Sequence, residues 1–231
     1  METMTEIKGF LETSFVDWPG KICSVLFLPY CNFRCPYCHN HPLVFQPERY
    51  SSIPFDDIMT HLLSFGDWID GVCLTGGEPT LHVDLPFLTR EIKRRGFLIK
   101  LDTNGSNPQM LENLIEGGQI DFVSMDVKAP LDPFSYRRSI GIPIDLNLLL
   151  RSIEILKREK VEYEFRMTVV PGLHGKEDIK SLGSQLRAGR RFFLQNFNPE
   201  NPLDPSLKNT LPYDPKLLKE TEREVQGMIY E

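Results

Sequence analysis

Six short runs rich in apolar and β-branched residues punctuate the chain: Ile22–Leu28, Gly71–Thr75, Leu98–Thr103, Phe122–Asp126, Glu162–Val170 and Phe192–Asn198. Between them lie longer segments in which apolar residues recur every three or four positions. The runs read as strands and the segments as amphipathic helices, and their alternation predicts βα units around a parallel sheet. Helical spacing joins Phe55, Ile58, Met59, Leu62 and Leu63, and again Leu85, Leu88 and Ile92. Asn107 is placed to cap a third helix, with Pro108 in its first turn, Gly117 at its end and Leu111, Leu114 and Ile115 inward. Asp145 caps the next, whose Leu146, Leu149, Leu150, Ile153 and Leu156 form the broadest apolar face. Ile179, Leu182 and Leu186 mark a fifth helix, and Leu217, Leu218, Val225 and Met228 a C-terminal one. These stripes are core.

Right-handed βα units in series curl into a barrel, and six close only part of the usual eight-unit circle. The expected fold is therefore α/β, a partial (βα)6 TIM-type barrel, open on one side. No repeat or linker divides the chain, so residues 1–231 are expected to form a single domain, with a core over about 9–198 and a loop and helix over 199–231. Phe197–Pro215, rich in Asn and Pro, reads as a long ordered loop. Together with Asp17-Trp18-Pro19-Gly20 it is expected to line the open side, wide enough for a macromolecular substrate.

At 231 residues and 41% apolar composition the chain can bury a continuous core. A net charge of −6 without a basic stripe argues against nucleic acid or an anionic membrane as partner, Lys93-Arg94-Arg95 being a solvated helix end. The polar N-terminus lacks a secretion pattern, and no apolar run has the length of a membrane span. A cytoplasmic, reducing location is expected. Two of the five cysteines, Cys23 and Cys73, lie in strand runs and are expected to be small core residues.

The other three form Cys31-Asn32-Phe33-Arg34-Cys35-Pro36-Tyr37-Cys38, directly after the first strand. Three thiolates from one loop can hold three corners of a cubane iron–sulfur cluster and leave the fourth iron open. Structural zinc, completed by His39 or His41, is the alternative. A disulfide would need an oxidising compartment and leave one cysteine over. Active sites of parallel βα folds sit at the carboxyl ends of the strands, and all six runs end in polar or glycine-bearing motifs. Gly76-Gly77-Glu78-Pro79 follows the second: paired glycines admit a close ligand, and Glu78 offers a carboxylate to an ammonium group. Asp102 and Asp126 end neighbouring strands and could hold a cation or ribose hydroxyls, while Lys128 and Arg166 could meet a carboxylate. An internal ion-pair network is the alternative.

The spacing Cys31-x₃-Cys35-x₂-Cys38, with Tyr37 before the third cysteine and Gly-Gly-Glu-Pro after the next strand, resembles the radical S-adenosylmethionine superfamily. Asp102-Thr103-Asn104-Gly105, Asp126-Val127-Lys128 and Arg166-x₂-Val169-Val170-Pro171-Gly172 resemble its glycyl-radical-enzyme activases. Ser14-Phe15-Val16-Asp17-Trp18-Pro19-Gly20-Lys21 and Cys38-His39-Asn40 are most similar to anaerobic ribonucleoside-triphosphate reductase activating proteins.

The resemblance implies a [4Fe–4S] cluster on Cys31, Cys35 and Cys38, chelated at its open iron by S-adenosylmethionine. Gly76, Gly77, Glu78 and Pro79 match the segment at the methionyl amino group, and Tyr37 and His39 positions beside the adenine. Asp102, Lys128 and Arg166 match positions at the ribose and methionyl portions. Asp102, Thr103 and Asp126 match a monovalent-cation site for Na⁺ or K⁺, and Asp17 a position near the target peptide. Asn198 stands where the pyruvate formate-lyase activase has histidine; it can bond a ribose but cannot carry charge.

The implied chemistry is one-electron cleavage of S-adenosylmethionine to methionine and a 5′-deoxyadenosyl radical, which takes hydrogen from a glycine Cα of a partner enzyme. Partners would be a glycyl-radical enzyme, above all anaerobic ribonucleotide reductase, and a flavodoxin or ferredoxin-type electron donor. Alternatives are action on a small molecule, as in the 7-carboxy-7-deazaguanine synthases, and a zinc-stabilised module without turnover.

Overall fold

The computed structural model describes residues 5–187 and 189–230. Its strands are β1 (Gly9–Ser14), β2 (Cys23–Leu28), β3 (Gly71–Gly76), β4 (Leu98–Thr103), β5 (Phe122–Asp126), β6 (Glu162–Val169) and β7 (Phe192–Asn196). Its helices are α1 (His41–Phe45), α2 (Phe55–Ser64), α3 (Leu85–Arg94), α4 (Pro108–Glu116), α5 (Pro133–Ile140), α6 (Leu146–Lys157), α7 (Lys176–Gln185) and α8 (Pro215–Tyr230). The strands form one sheet in chain order, and β2 through β7 run parallel. This is the expected α/β partial barrel, its two end strands β1 and β7 not being neighbours.

β1, antiparallel to β2, is an addition to the six expected strands. Its sequence hides it, because an edge strand with Leu11 and Glu12 exposed has no apolar run to announce it. α5 was also unanticipated, although its ends are marked. Asp132 accepts hydrogen bonds from the Phe134 and Ser135 N–H groups, and Gly141 closes the helix at φ 74°.

Alternate strand residues face opposite ways. One set, including Leu26, Leu74, Leu101, Val123 and Phe165, packs under the helices with Leu62, Leu88, Leu114 and Leu156. Each such burial contributes roughly 1.5–3 kcal/mol. The other set faces the barrel interior, where Cys23, Val25 and Cys73 pack on Trp18. Both strand cysteines are thus core residues, as expected.

Because β1 runs against β2, the turn after Ser14 lies beside Cys23, at the amino ends of the parallel strands. There Trp18, Pro19 and Lys21 line a cavity of about 510 Å³ with Leu98, Phe122 and Glu162. Asp17–Gly20 therefore sits at the pole opposite the cysteine loop and does not share an opening with Phe197–Pro215, which corrects that expectation. Phe197–Pro215 stays at the carboxyl pole, where the Asp204 N–H donates to the Pro36 carbonyl at 2.7 Å. At the free edge of β7, the Phe192 and Leu194 N–H groups donate to Gln226 and Glu222 of α8 at 2.9 and 2.8 Å. The edge is thereby shielded from pairing with another chain.

Candidate active site

The cysteine loop leaves β2 through Tyr30, whose φ of 65° is left-handed and uncommon for a side-chain-bearing residue. The paired glycines after β3 hold that turn. Gly77 N–H donates to Leu28 O at 2.8 Å and Glu78 N–H to Tyr30 O at 2.7 Å. A Cβ on Gly77 would lie 1.8 Å from Tyr30 O, so only glycine lets the two loops meet. Gly76 adopts φ 111°, and a Cβ there would lie 2.5 Å from Leu28 O.

Burial pushes all three loop thiols up, Cys31 to about 11, Cys35 to about 12, and Cys38 in the same direction. A bound metal must therefore displace their protons. Polar hydrogens already point at two of the sulfurs. Phe33 N–H donates to Cys31 Sγ at 3.3 Å, and the Asn40 N–H meets Cys38. Asn104 Nδ2 lies 3.8 Å from Cys31 Sγ and also donates to Asn32 Oδ1 at 2.9 Å. Asn32 in turn donates to Ser106 Oγ at 2.8 Å, so the turn after β4 grips the cysteine loop beside its first ligand.

Glu78 is buried, and its carboxylate is engaged within the chain. Oε1 accepts from Thr80 N–H, Thr80 Oγ1 and Thr103 Oγ1 at 3.1, 2.5 and 2.7 Å, and Oε2 accepts from Asn104 N–H at 2.7 Å. Burial raises its pKa and these donors oppose the rise. The side chain thus fastens β3 to β4, leaving Oε2 with the freer lone pair. Pro79 opens the short turn Pro79–Leu81 and does not line the cavity.

Below the loop an alternating ladder of charge crosses the barrel. Lys100 pairs with Asp102, and Arg166 reaches Asp102 at 3.2 Å and Asp126 at 2.9 Å. Lys128 completes it on Asp126 at 2.9 Å. Burial disfavours charge on Asp126, but Arg166 and Lys128 outweigh it and bring its pKa to about 2. Lys128 is raised because Asp126 offsets its own burial. All four oxygens of Asp102 and Asp126 are taken by cationic side chains, and Thr103 Oγ1 points at Glu78. The residues named for a monovalent cation are therefore close together, but the charge between the two carboxylates is a guanidinium. Arg166 itself does not line the cavity and acts on it through Asp102 and Asp126.

A cavity of about 410 Å³ opens above this ladder. Cys31, Cys35, Cys38, Tyr37, His39, Gly76, Gly77, Glu78, Asp102, Thr103, Asp126, Lys128 and Asn198 all line it. Thr168, Gln195 and Asn196 line it too and had no motif to reveal them. Strand parity was the available signal, since Lys100 and Asp102, Ser124 and Asp126, and Arg166 and Thr168 alternate onto one face. His39 Nε2 lies 2.5 Å from the Asn198 carbonyl, joining the cysteine loop to the end of the barrel. Tyr37 is buried with its hydroxyl unpartnered, an orphaned donor beside the cavity.

Residues 25–182 match the Radical SAM superfamily. This chain belongs to that family. A Methanocaldococcus jannaschii protein provisionally named a glycyl-radical enzyme activating enzyme is 34% identical over 87% of this chain and 84% of its own length. The pyruvate formate-lyase 1-activating enzyme of Escherichia coli is 26% identical over 77% of this chain and 73% of its own. Among solved structures, Streptococcus suis SuiB bound to precursor peptide SuiA shares the fold at a TM-score of 0.62 and 18% identity. The match covers 87% of this chain and 44% of SuiB.

The radical SAM family works with a [4Fe–4S] cluster and S-adenosylmethionine, and the residues present fit both groups. Among the described residues, no three His, Cys, Asp or Glu side chains converge on a point where a single ion would bind. A cubane presents three separate irons, which suits three thiolates carried by one loop. The unpartnered Tyr37 hydroxyl and the cationic Lys128 leave a donor and a positive charge facing the space beside them. Among the described residues, no helix is long and apolar enough to cross a membrane.

Proposed function

We propose that this radical SAM enzyme installs a glycyl radical on a partner enzyme, with anaerobic ribonucleoside-triphosphate reductase as the target. Identity to two proteins named as activating enzymes, each across more than two thirds of both chains, supports the activase reading. The observation that carries it at the level of the site is the cysteine loop locked onto Gly76-Gly77-Glu78 over one mouth. Cys31, Cys35 and Cys38 would hold the cluster, whose chemistry when bound would be one-electron reductive cleavage of S-adenosylmethionine.

The chain's own residues bind and orient. Backbone groups of Gly76 and Gly77, with Glu78 Oε2, meet the methionyl ammonium group, and Pro79 shapes the turn behind them. Lys128 meets the carboxylate, while Asp102 and Asn198 accept ribose hydroxyls, and Arg166 keeps Asp102 and Asp126 in place. Tyr37 and His39 flank the adenine. Thr168 and Gln195 offer hydroxyl and amide groups to the target's backbone, while Asn196 spends its amide on the Tyr213 backbone. The electron donor is a flavodoxin or ferredoxin, and the reaction runs in the cytoplasm within one 231-residue domain.

The test is anaerobic, with cluster-loaded protein, dithionite and S-adenosylmethionine. 5′-Deoxyadenosine should form faster when anaerobic ribonucleotide reductase is added, and with one reductase glycine modified per molecule cleaved. Cleavage that ignores the reductase and responds to a small metabolite would replace this reading with the small-molecule one.

A further inference from the structure

The proposed reaction needs one electron per turnover, yet the mouth is taken up by the cofactor and the target. The electron must enter elsewhere. The outer face of α5 is the best placed route. Inward, α5 presents Tyr136, fully buried, whose hydroxyl accepts from the Lys128 N–H at 3.2 Å at the floor of the active-site cavity. Outward, it presents Phe134, Arg137 and Arg138, spaced i, i+3 and i+4 and therefore on one side of the helix. One helix diameter, about 10–12 Å, separates the two faces. The C-terminal end of α5 also touches the cysteine loop directly: Arg34 N–H donates to Ile140 O at 2.8 Å, and Gly141 packs on Arg34 O.

This face is basic on a chain that is acidic overall. Most lysines and arginines here are paired with carboxylates, but among the described residues Arg34, Arg137 and Arg138 form no salt bridge. Arg34 reaches only the carbonyls of Cys31 and Phe33 and lies 4.8 Å over the half-exposed Phe45 ring. Arg138 reaches only the Leu173 carbonyl. Asp132, at the start of the same helix, is engaged in capping α5. Basic residues in a last helical turn suit the helix dipole, but that does not account for Phe134, which is 75% exposed. Arginines around exposed aromatic rings are the composition of a protein interface. None of these residues lines the active-site cavity.

We propose that the face formed by Phe134, Arg137, Arg138, Arg34 and Phe45 docks an acidic one-electron carrier protein, which passes its electron across α5 to the cluster. This rests on the cluster-bearing function proposed above. One electron moves, the carrier is oxidised, the cluster is reduced, and no atom is transferred. Charge of one sign on the face and the opposite sign on the carrier sets the encounter rate and makes it sensitive to salt.

The experiment uses full-length, cluster-loaded protein and follows cluster bleaching by stopped flow, with reduced flavodoxin or with dithionite as donor. The variants are Arg137→Glu/Arg138→Glu, Phe134→Ala and Arg137→Lys/Arg138→Lys. For the double-Glu variant the flavodoxin rate should fall at least about tenfold at low ionic strength and lose its salt dependence. Phe134→Ala should slow it at every salt concentration, the double-Lys variant should retain most of the rate, and dithionite should reduce all of them alike. An unchanged flavodoxin rate in the double-Glu variant would overturn the proposal. So would a parallel loss with dithionite, which would place the effect in the cluster. Intact flavodoxin reduction with failed radical transfer would also overturn it, assigning the face to the target enzyme. Wild-type protein that is bleached by dithionite but never cleaves S-adenosylmethionine would instead overturn the proposed function.

Discussion

Gly77→Ala separates two roles that the paired glycines could play. If they only leave room for the cofactor, the methyl group weakens S-adenosylmethionine binding and leaves the cluster in place. The structure puts the methyl 1.8 Å from Tyr30 O and 2.5 Å from Tyr30 C, well inside contact distance and against backbone. The Tyr30–Cys31 turn must therefore move by more than 1 Å, the difference from an ordinary contact of about 3.5 Å or greater. That movement strains the Gly77–Leu28 and Glu78–Tyr30 hydrogen bonds. Overpacking costs about 1–3 kcal/mol and each backbone bond about 1 kcal/mol, so the loss should be roughly 3–5 kcal/mol. For a chain of this size that lowers Tm by about 10 °C. Iron bound after anaerobic reconstitution should fall with it, because Cys31 follows Tyr30 directly. Gly96→Ala is the control: its φ is 92° with open space around it, so it pays local strain only and keeps its iron. Wild-type Tm and iron content in Gly77→Ala would refute the docking of the two loops.

The remaining expectations concern charge and hydrogen bonding around the same mouth. Asp126→Asn should cost about 2–3 kcal/mol, less than the 3–5 of a fully buried pair because the carboxylate borders the cavity. With a folded pKa of about 2 against an ordinary value of 3.8, Asp126 stabilises the fold above pH 3.8. That contribution is lost as pH falls through 2, an acid limb the variant should lack. S-adenosylmethionine affinity should be equal in K⁺, Na⁺ and choline salts, and a cation-dependent affinity would mean that Arg166 yields its place to an ion. His174 is buried neutral between Ser139 Oγ and the Val170 N–H, and burial lowers its pKa to about 4. Its folded pKa lies below the unfolded value near 6.5, so stability should drop by about 2 kcal/mol from pH 7 to 5. Urea melts of His174→Gln should show a shallower loss; an identical slope would mean His174 is not the titrating group. Asn104→Ala should retain iron but shift the cluster's midpoint potential downward, since a donor to Cys31 Sγ is removed. An unshifted potential would reduce Asn104 to a structural tie.

The six parallel strands were legible because each carries a run of apolar residues that is largely buried, and the cysteine loop and Gly-Gly-Glu-Pro were legible as local spacings. β1 was not, because a half-solvated edge strand has mixed polarity, and its hidden presence put Asp17–Gly20 at the wrong pole. α5 was missed although Asp132 and Gly141 mark both ends, since eight residues with two adjacent arginines show no clear apolar period. Within the site, sequence named Asp102, Asp126, Lys128 and Arg166 but not their partners. That Arg166 bridges both carboxylates and leaves the cavity wall is a fact of three neighbouring strands, as is the Asn32–Asn104 grip on Cys31. Such pairings across forty residues or more appear only when the strand order is known.

The central claim is that this enzyme places a radical on a glycine of another protein, and electron paramagnetic resonance reads that radical directly. Cluster-loaded enzyme, S-adenosylmethionine, dithionite and anaerobic ribonucleotide reductase should give a doublet at g near that of a free organic radical, carried by the reductase after the two proteins are separated. The doublet should be absent with Cys35→Ala and present with Cys73→Ala. Cleavage of S-adenosylmethionine at full rate with no protein radical on the reductase or any other glycyl-radical enzyme would contradict the account.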